Sequence, residues 1–297
     1  MLSVIVVIFN MQREAPRTLY SLSALYQTGV CEDEYEVIVI DNGSSQPLPA
    51  EQMMSFGGNF RYLVCGDMAD PSPCKAINHA VKHAKGDCIG VMIDGARIAS
   101  PGLIRYALDA LQLYERGIVA TLAWHLGPKP QSSSILEGYC QEKEDQMLDS
   151  IDWKRNGYLL FNISSFAWSS ACGYFGNVSE TNAFFMNKAF YSALKGFDER
   201  FCLPGGGLAN LDFYKRACEF PNATTVLLLG EGTFHQVHGG IATNAISSDY
   251  IELAMQEYCT IKRVRFYQPM SKPILFGRPT PESFPWIALS VSSMARD

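Results

Sequence analysis

Apolar positions follow two alternating rhythms through the first 124 residues. Leu2 to Phe9 (LSVIVVIF) is continuously apolar and β-branched, as expected of a strand covered on both faces. A helix is predicted from about Ala15 to Thr28, with Leu19, Leu22, Leu25 and Tyr26 on one side and Gly29 as its stop. Tyr35 to Asp41 and Phe60 to Cys65 read as a second and a third buried strand. Ala76, Ile77, Ala80, Val81 and Ala84 carry the three-and-four spacing of a second helix ended by Gly86. Asp87 to Asp94 (DCIGVMID) is a fourth strand, and Pro101 opens a third helix that turns Ile104, Ala107, Leu108 and Leu111 inward. Gly117 to Trp124 is a fifth strand.

Strand and helix alternating at these lengths predict right-handed βαβ units and a mostly parallel central sheet flanked by helices, an α/β fold. Residues 1–124 form one half, and 125–268 a second half of the same domain with a looser pattern. In that half, Gly127 to Ser134 reads as a loop, Leu136 to Leu148 as a short polar helix and Glu180 to Lys188 as a strand. Leu208 to Glu219 is predicted helical after the Gly205-Gly206-Gly207 turn, Thr224 to His238 as a strand ending in a histidine-bearing loop, and Ser248 to Tyr267 as the last helix. Residues 269–297, with prolines at 269, 273, 279, 281 and 285, are expected to be an irregular tail.

Composition narrows the function. A 47% apolar share in 297 residues supports a sizeable core, and a net charge of −6 without a basic block argues against a nucleic-acid partner. Nine cysteines without metal-type spacing read as buried small residues in a reducing compartment, and no apolar run reaches the ~20 residues of a membrane span. The expectation is a cytoplasmic protein, with peripheral membrane contact left open. The turn after the first strand lacks G-x-G-x-x-G, and neither a P-loop nor a G-x-S-x-G elbow occurs. In parallel sheets ligands sit beyond the carboxyl ends of the strands, which draws attention to Asn10, Asp41 and Asp94.

Taken in order, SVIVVIFNMQREAPRTLYSL, YEVIVIDNGSS, NHAVKHAKGDCIGVMIDGA, ETNAFFMNKAFYSALKGFDERF, GGGLANLDFYKRA and HQVHGG resemble family-2 glycosyltransferases of the GT-A fold, over roughly Ser3 to Gly240. The resemblance implies an enzyme that moves a sugar from a nucleoside-diphosphate sugar, a UDP-sugar first among them, to a hydroxyl acceptor, with inversion. The acceptor would be a glycan or a lipid-linked or small hydroxyl compound. It further implies that Phe9, Asn10 and Asp41 hold the nucleotide base, since a carboxylate accepts well from a uracil N–H. Lys75, Asn78 and His79 would approach the nucleotide.

The resemblance gives Asp94 the first place of an Asp-x-Asp that ligates Mn²⁺ or Mg²⁺ across the donor phosphates. The third place holds Ala96, and the adjacent Arg97 can supply positive charge to a phosphate. His235 and His238 stand where a second source of metal ligands is implied. Three residues apart, they converge only in a turn, which Gly239 and Gly240 favour. For the base that deprotonates the acceptor, the family's acidic pair falls on Ala209 and Asn210, and an amide cannot serve. Asp212 is the nearest acid, although capping or bracing its helix is an equal role for it, and Glu180 is the other candidate. Asp198 and Glu199 read as turn-forming. Trp124, Trp153, Tyr158, Phe166 and Trp168 can stack on sugars or fill core. The competing reading, supported by Ala96 and Asn210, is a non-catalytic nucleotide-sugar or glycan-binding protein on this fold. A nucleotidyltransferase ranks third, because its glycine-rich loop is missing.

Overall fold

The computed structural model describes residues 1–239 and 248–294; Gly240, half of the expected glycine turn, lies outside the described residues. The first half follows the predicted alternation. In it lie β1 (Leu2–Ile8), α1 (Ala15–Ser21), β2 (Tyr35–Asp41), α2 (Ala50–Met54), β3 (Phe60–Val64), α3 (Cys74–His83), β4 (Cys88–Met92), β5 (Arg97–Ala99), α4 (Leu103–Leu113) and β6 (Gly117–Leu126). The second half adds α5 (Gln131–Leu136), α6 (Gln141–Asp149), β7 (Ser164–Phe166), β8 (Ala183–Asn187), α7 (Lys188–Ala193), α8 (Ala209–Cys218), β9 (Thr224–His235), α9 (Ser248–Lys262), β10 (Ile274–Gly277) and α10 (Phe284–Met294).

All ten strands join one sheet in the order β10-β9-β6-β8-β4-β1-β2-β3, with β5 on β9 and β7 on β6. Pairings along the main path are parallel except those of β8, which runs antiparallel to both β4 and β6. Side chains alternate across the sheet, so β1 sends Ile5 and Val7 into one apolar layer and Leu2, Val4, Val6 and Ile8 into the other. This two-sided burial is why the parallel strands read as unbroken apolar runs. No helix among the described residues is long and apolar enough to cross a membrane, and the nine cysteines are free thiols.

Four expectations need correction. The first helix stops at Ser21 rather than Thr28, because Gln27 Nε2 takes the Ser21 carbonyl at 2.7 Å and Ser21 Oγ takes that of Thr18 at 2.6 Å. Leu25, counted on its inner face, is therefore 83% exposed. The stretch read as a loop holds α5, entered after Pro130, and the polar helix begins at Gln141 instead of Leu136. The tail is not irregular: Ile274 to Gly277 pairs in parallel with Val226 to Leu229, and α10 packs beyond it, with Trp286 Nε1 donating to the Phe161 carbonyl at 3.1 Å. Pro269, Pro273, Pro279 and Pro281 fall between its elements, and Pro285 sits in the first turn of α10, where a missing N–H costs nothing.

One buried acid gives the fold a pH signature. Glu231 is 0% exposed and accepts from Ser100 Oγ, from Gly102 N–H at 3.1 Å and from Tyr158 OH at 2.8 Å. Burial pushes its carboxyl up to about 7, against an ordinary 4.5. The unfolded chain releases this proton first, so the group's contribution to stability is full below pH 4.5 and is lost as pH rises to about 7. Glu231→Gln removes that dependence. Measured by denaturant unfolding at pH 5 and pH 8, the stability difference between variant and wild type should move in the variant's favour by on the order of 3 kcal/mol. An unchanged difference would mean that Glu231 is ionised throughout.

Candidate functional site

Asp94 leaves the end of β4 beside the end of β1. Gly95 makes that approach feasible, since a Cβ there would stand 2.5 Å from Ile8 Cγ2. Asp94 Oδ1 accepts from Ala96 N–H at 3.1 Å, and Oδ2 from Arg97 Nε at 2.9 Å. On β5, Arg97 pairs in register with His235 at the end of β9. His235 Nε2 thus lies 4.0 Å from Asp94 Oδ1 and 3.1 Å from His238 Nε2. One ligand atom from each of Asp94, His235 and His238 falls within 4.8 Å of the others.

The donor set suits a divalent cation. Gln131 Oε1, a carbonyl oxygen 2.6 Å from His235 Nδ1, accepts a hydrogen bond from Nδ1–H, which leaves the Nε2 lone pair facing Asp94 and His238. Gln131 Nε2 donates to the His235 carbonyl at 2.9 Å, which fixes the amide's orientation. Burial, and after it Arg97, hold the His235 imidazole neutral; burial does the same for His238. Two neutral imidazoles with a carboxylate favour Mn²⁺ over Mg²⁺. Arg97 is 5% exposed, and its Nη1 is buried without a partner among the described residues.

Sequence reasoning missed the frame behind these ligands. The turn between the histidines is tied at each residue. Gln236 N–H donates to the Ala96 carbonyl at 2.8 Å and its side-chain amide to the Glu14 carbonyl at 3.0 Å. Val237 N–H donates to Glu144 Oε2 at 2.7 Å, and Arg13 Nη1 donates to the Val237 carbonyl at 3.3 Å while also binding Glu144. Glu144 is 0% exposed, and burial lifts its carboxyl to about 7. It lies 93 residues from Val237, so no local spacing announced it. His125, likewise unpredicted, takes the Gln131 backbone N–H on Nδ1 at 2.8 Å, with its ring 5.5 Å from that of His235.

The residues expected around a nucleotide divide. Phe9 is 53% exposed at the end of β1, next to Asn10 at φ 52°. Asn10 Oδ1 accepts from Ser45 N–H at 2.9 Å, lacing this end to the turn after β2. Asp41 faces inward: it is 1% exposed, and its oxygens accept from Gly43 N–H, Ser44 N–H and Tyr62 OH at 3.0, 2.7 and 2.9 Å. It shapes the turn rather than presenting a carboxylate. Lys75 pairs with Asp70 at 2.7 Å. Asn78 binds Phe197 N–H at 3.0 Å and Tyr191 OH at 2.6 Å through Oδ1, and Glu199 Oε1 at 2.8 Å through Nδ2; it holds the turn around Asp198 and Glu199. His79 stacks on His83 along the same helix.

The two candidate bases also separate. Asp212 is 2% exposed and ion-paired to Arg216 at 2.7 Å and Lys262 at 2.9 Å, which makes it a brace between α8 and α9. Glu180 is half-buried and, among the described residues, accepts a single 3.3 Å contact from Asn210 Nδ2. Two residues on, the Asn182 carbonyl accepts from Ile93 N–H at 3.2 Å, which sets Glu180 at the β4 end that carries Asp94.

The fold that carries these residues has solved counterparts. The TarS fragment 1–349 from S. aureus, in complex with UDP, aligns with a TM-score of 0.54 at 14% identity, over 90% of this chain and 67% of that one. Against full-length S. aureus TarS the alignment spans 40% of the longer chain. The mannosyltransferase PcManGT from Pyrobaculum calidifontis, in complex with GDP-Man and Mn²⁺, aligns with a TM-score of 0.52 at 14% identity, over 99% of this chain and 75% of that one. At such identities the likeness speaks to the fold, which is that of the GT-A glycosyltransferases. No curated protein matches the sequence significantly. Residues 3–156, just over half of the 297, match the family described as glycosyl transferase family 2. The chain belongs to that family and is a glycosyltransferase.

Proposed function

We propose that the protein transfers a sugar from a nucleoside-diphosphate sugar to an acceptor hydroxyl, with a divalent cation held by Asp94, His235 and His238. The observation that carries this reading is the convergence of those three ligand atoms within 4.8 Å at the carboxyl ends of the strands. Solved relatives of the fold hold UDP, UDP-GlcNAc, or GDP-Man with Mn²⁺, which supports a donor of the same class. When bound, the cation would supply Lewis acidity to the departing diphosphate. Arg97, whose Nη1 has no partner among the described residues, adds a fixed positive charge for the same developing anion. Phe9 and Asn10 offer the exposed edge on which the base rests. Glu180 takes the proton of the acceptor hydroxyl as the new glycosidic bond forms and the bond from the anomeric carbon to phosphate breaks. A single displacement inverts the anomeric centre.

Ala96 and Asn210 stand where the resemblance places acids, so the reading assigns the base to Glu180. One experiment tests it. A panel of UDP- and GDP-sugars is scored by thermal shift with and without Mn²⁺, then by donor hydrolysis and transfer. The expected result is a metal-dependent shift with turnover, and a fall of kcat by about 10²–10⁴ in Glu180→Gln with donor affinity retained. A shift without turnover on any donor leaves a binding protein; full activity in Glu180→Gln removes Glu180 as the base.

A further inference from the structure

The register of the sheet lines up Arg97, His235, His125 and Ser165 as successive partners across β5, β9, β6 and β7. Residues in register share a face, so four polar side chains form one row that leads away from Asp94. Both ends of the row are unsatisfied. Arg97 and Ser165 are 5% and 7% exposed, and Arg97 Nη1 and Ser165 Oγ have no partner among the described residues. A buried hydroxyl or guanidinium N–H without a partner carries a desolvation cost that an occupant of the site removes.

Gln131 lies over the row and gives its two imidazoles opposite characters. Its side-chain oxygen accepts from Nδ1–H of His235, and its backbone N–H donates to Nδ1 of His125. His125 therefore carries its proton on Nε2 and is a donor there. The next residue, Ser132, accepts the indole N–H of Trp168 at 3.1 Å. Trp168 is 63% exposed, whereas Trp124, Trp153 and Phe166 are buried in the core. Trp168 is thus an exposed indole tethered through Ser132 and three residues along the chain from Ser165, whose row holds the His125 N–H donor and the candidate metal ligand His235.

We infer that Trp168, His125 and Ser165 form the acceptor subsite, and that the acceptor is a neutral carbohydrate whose ring stacks on Trp168 while its hydroxyls meet the row. This inference rests on the function proposed above and names the acceptor class for that site. A pyranose has an apolar C–H face for the indole and a rim of hydroxyls that both donate and accept. An acidic acceptor fits less well, because Arg97 is the row's one fixed charge and is already paired with Asp94.

The test uses the full chain with Mn²⁺ and whichever nucleotide sugar it hydrolyses, offered methyl and p-nitrophenyl glycopyranosides and disaccharides as acceptors. Wild type should transfer to members of this panel. Trp168→Ala should raise the acceptor KM about ten-fold or more, Trp168→Phe less than about three-fold, and Ser165→Ala several-fold, with the donor Kd and the melting temperature held. Donor hydrolysis without transfer to any glycoside overturns the carbohydrate acceptor alone, as does an acceptor KM unchanged in Trp168→Ala. A wild type that neither binds nor hydrolyses any nucleotide sugar overturns the parent function, and this subsite with it.

Discussion

Exchange of Asp94 for Asn should abolish the thermal stabilisation that Mn²⁺ with UDP or GDP gives the wild type. A ligand at a hundred times its Kd stabilises by about 2.7 kcal/mol, a shift of several degrees for a chain of this size. The amide keeps the contact with Ala96 N–H but offers a cation no charge. The substitution also strands Arg97, whose side chain is 6% exposed and whose Nε loses its ionic partner. Removing one partner of a buried pair costs about 3–5 kcal/mol, so the variant also melts earlier without metal. The double variant Asp94→Asn, Arg97→Gln separates the two effects: it should regain much of the melting temperature while staying blind to the metal. A metal-dependent shift of wild-type size in Asp94→Asn would remove Asp94 from the ligand set.

The second large effect lies away from the chemistry. Asp212→Ala leaves Arg216 and Lys262 without the carboxylate that joins them. Lys262 retains Asp198, whose carboxyl is held far below the usual range by the Arg200 guanidinium and, against the opposing effect of burial, by Lys262 itself. The expected loss is about 3–5 kcal/mol, roughly 10 °C in melting temperature, with kcat preserved in the protein that stays folded. A fall of kcat by about 10²–10⁴ at unchanged stability would instead restore Asp212 as a base.

The parallel strands of the first half were legible because burial on both faces leaves long apolar runs, and the helices between them because three-and-four spacing survives in Ala76 to Ala84 and in Ile104 to Leu111. Strands of three or four residues, such as Arg97–Ala99 and Ile274–Gly277, have no period to detect and are stabilised by their partners across the sheet. Asp94, His235 and His238, singled out through the resemblance to family-2 glycosyltransferases, come together within 4.8 Å in the structure. The site was illegible where the role depends on direction. Asp41 and Asn78 look alike as strand-end and helix polar groups whether they face a ligand or a turn, and both face turns. Gln131 and Glu144 act through contacts 104 and 93 residues away, which no local window contains.

Strand β9 carries His235 and has β6 along one side. Its other side is covered in two pieces far apart in the sequence: Ile274–Gly277 over its first part and Arg97–Ala99 over its last. Gly230, at φ 82°, falls between them. A protein cut back before residue 274 would therefore bare a row of amides and carbonyls next to hydrophobic side chains, an invitation to self-association. The final segment guards solubility as well as shape, and shortened versions of the chain are a poor starting point for enzymology.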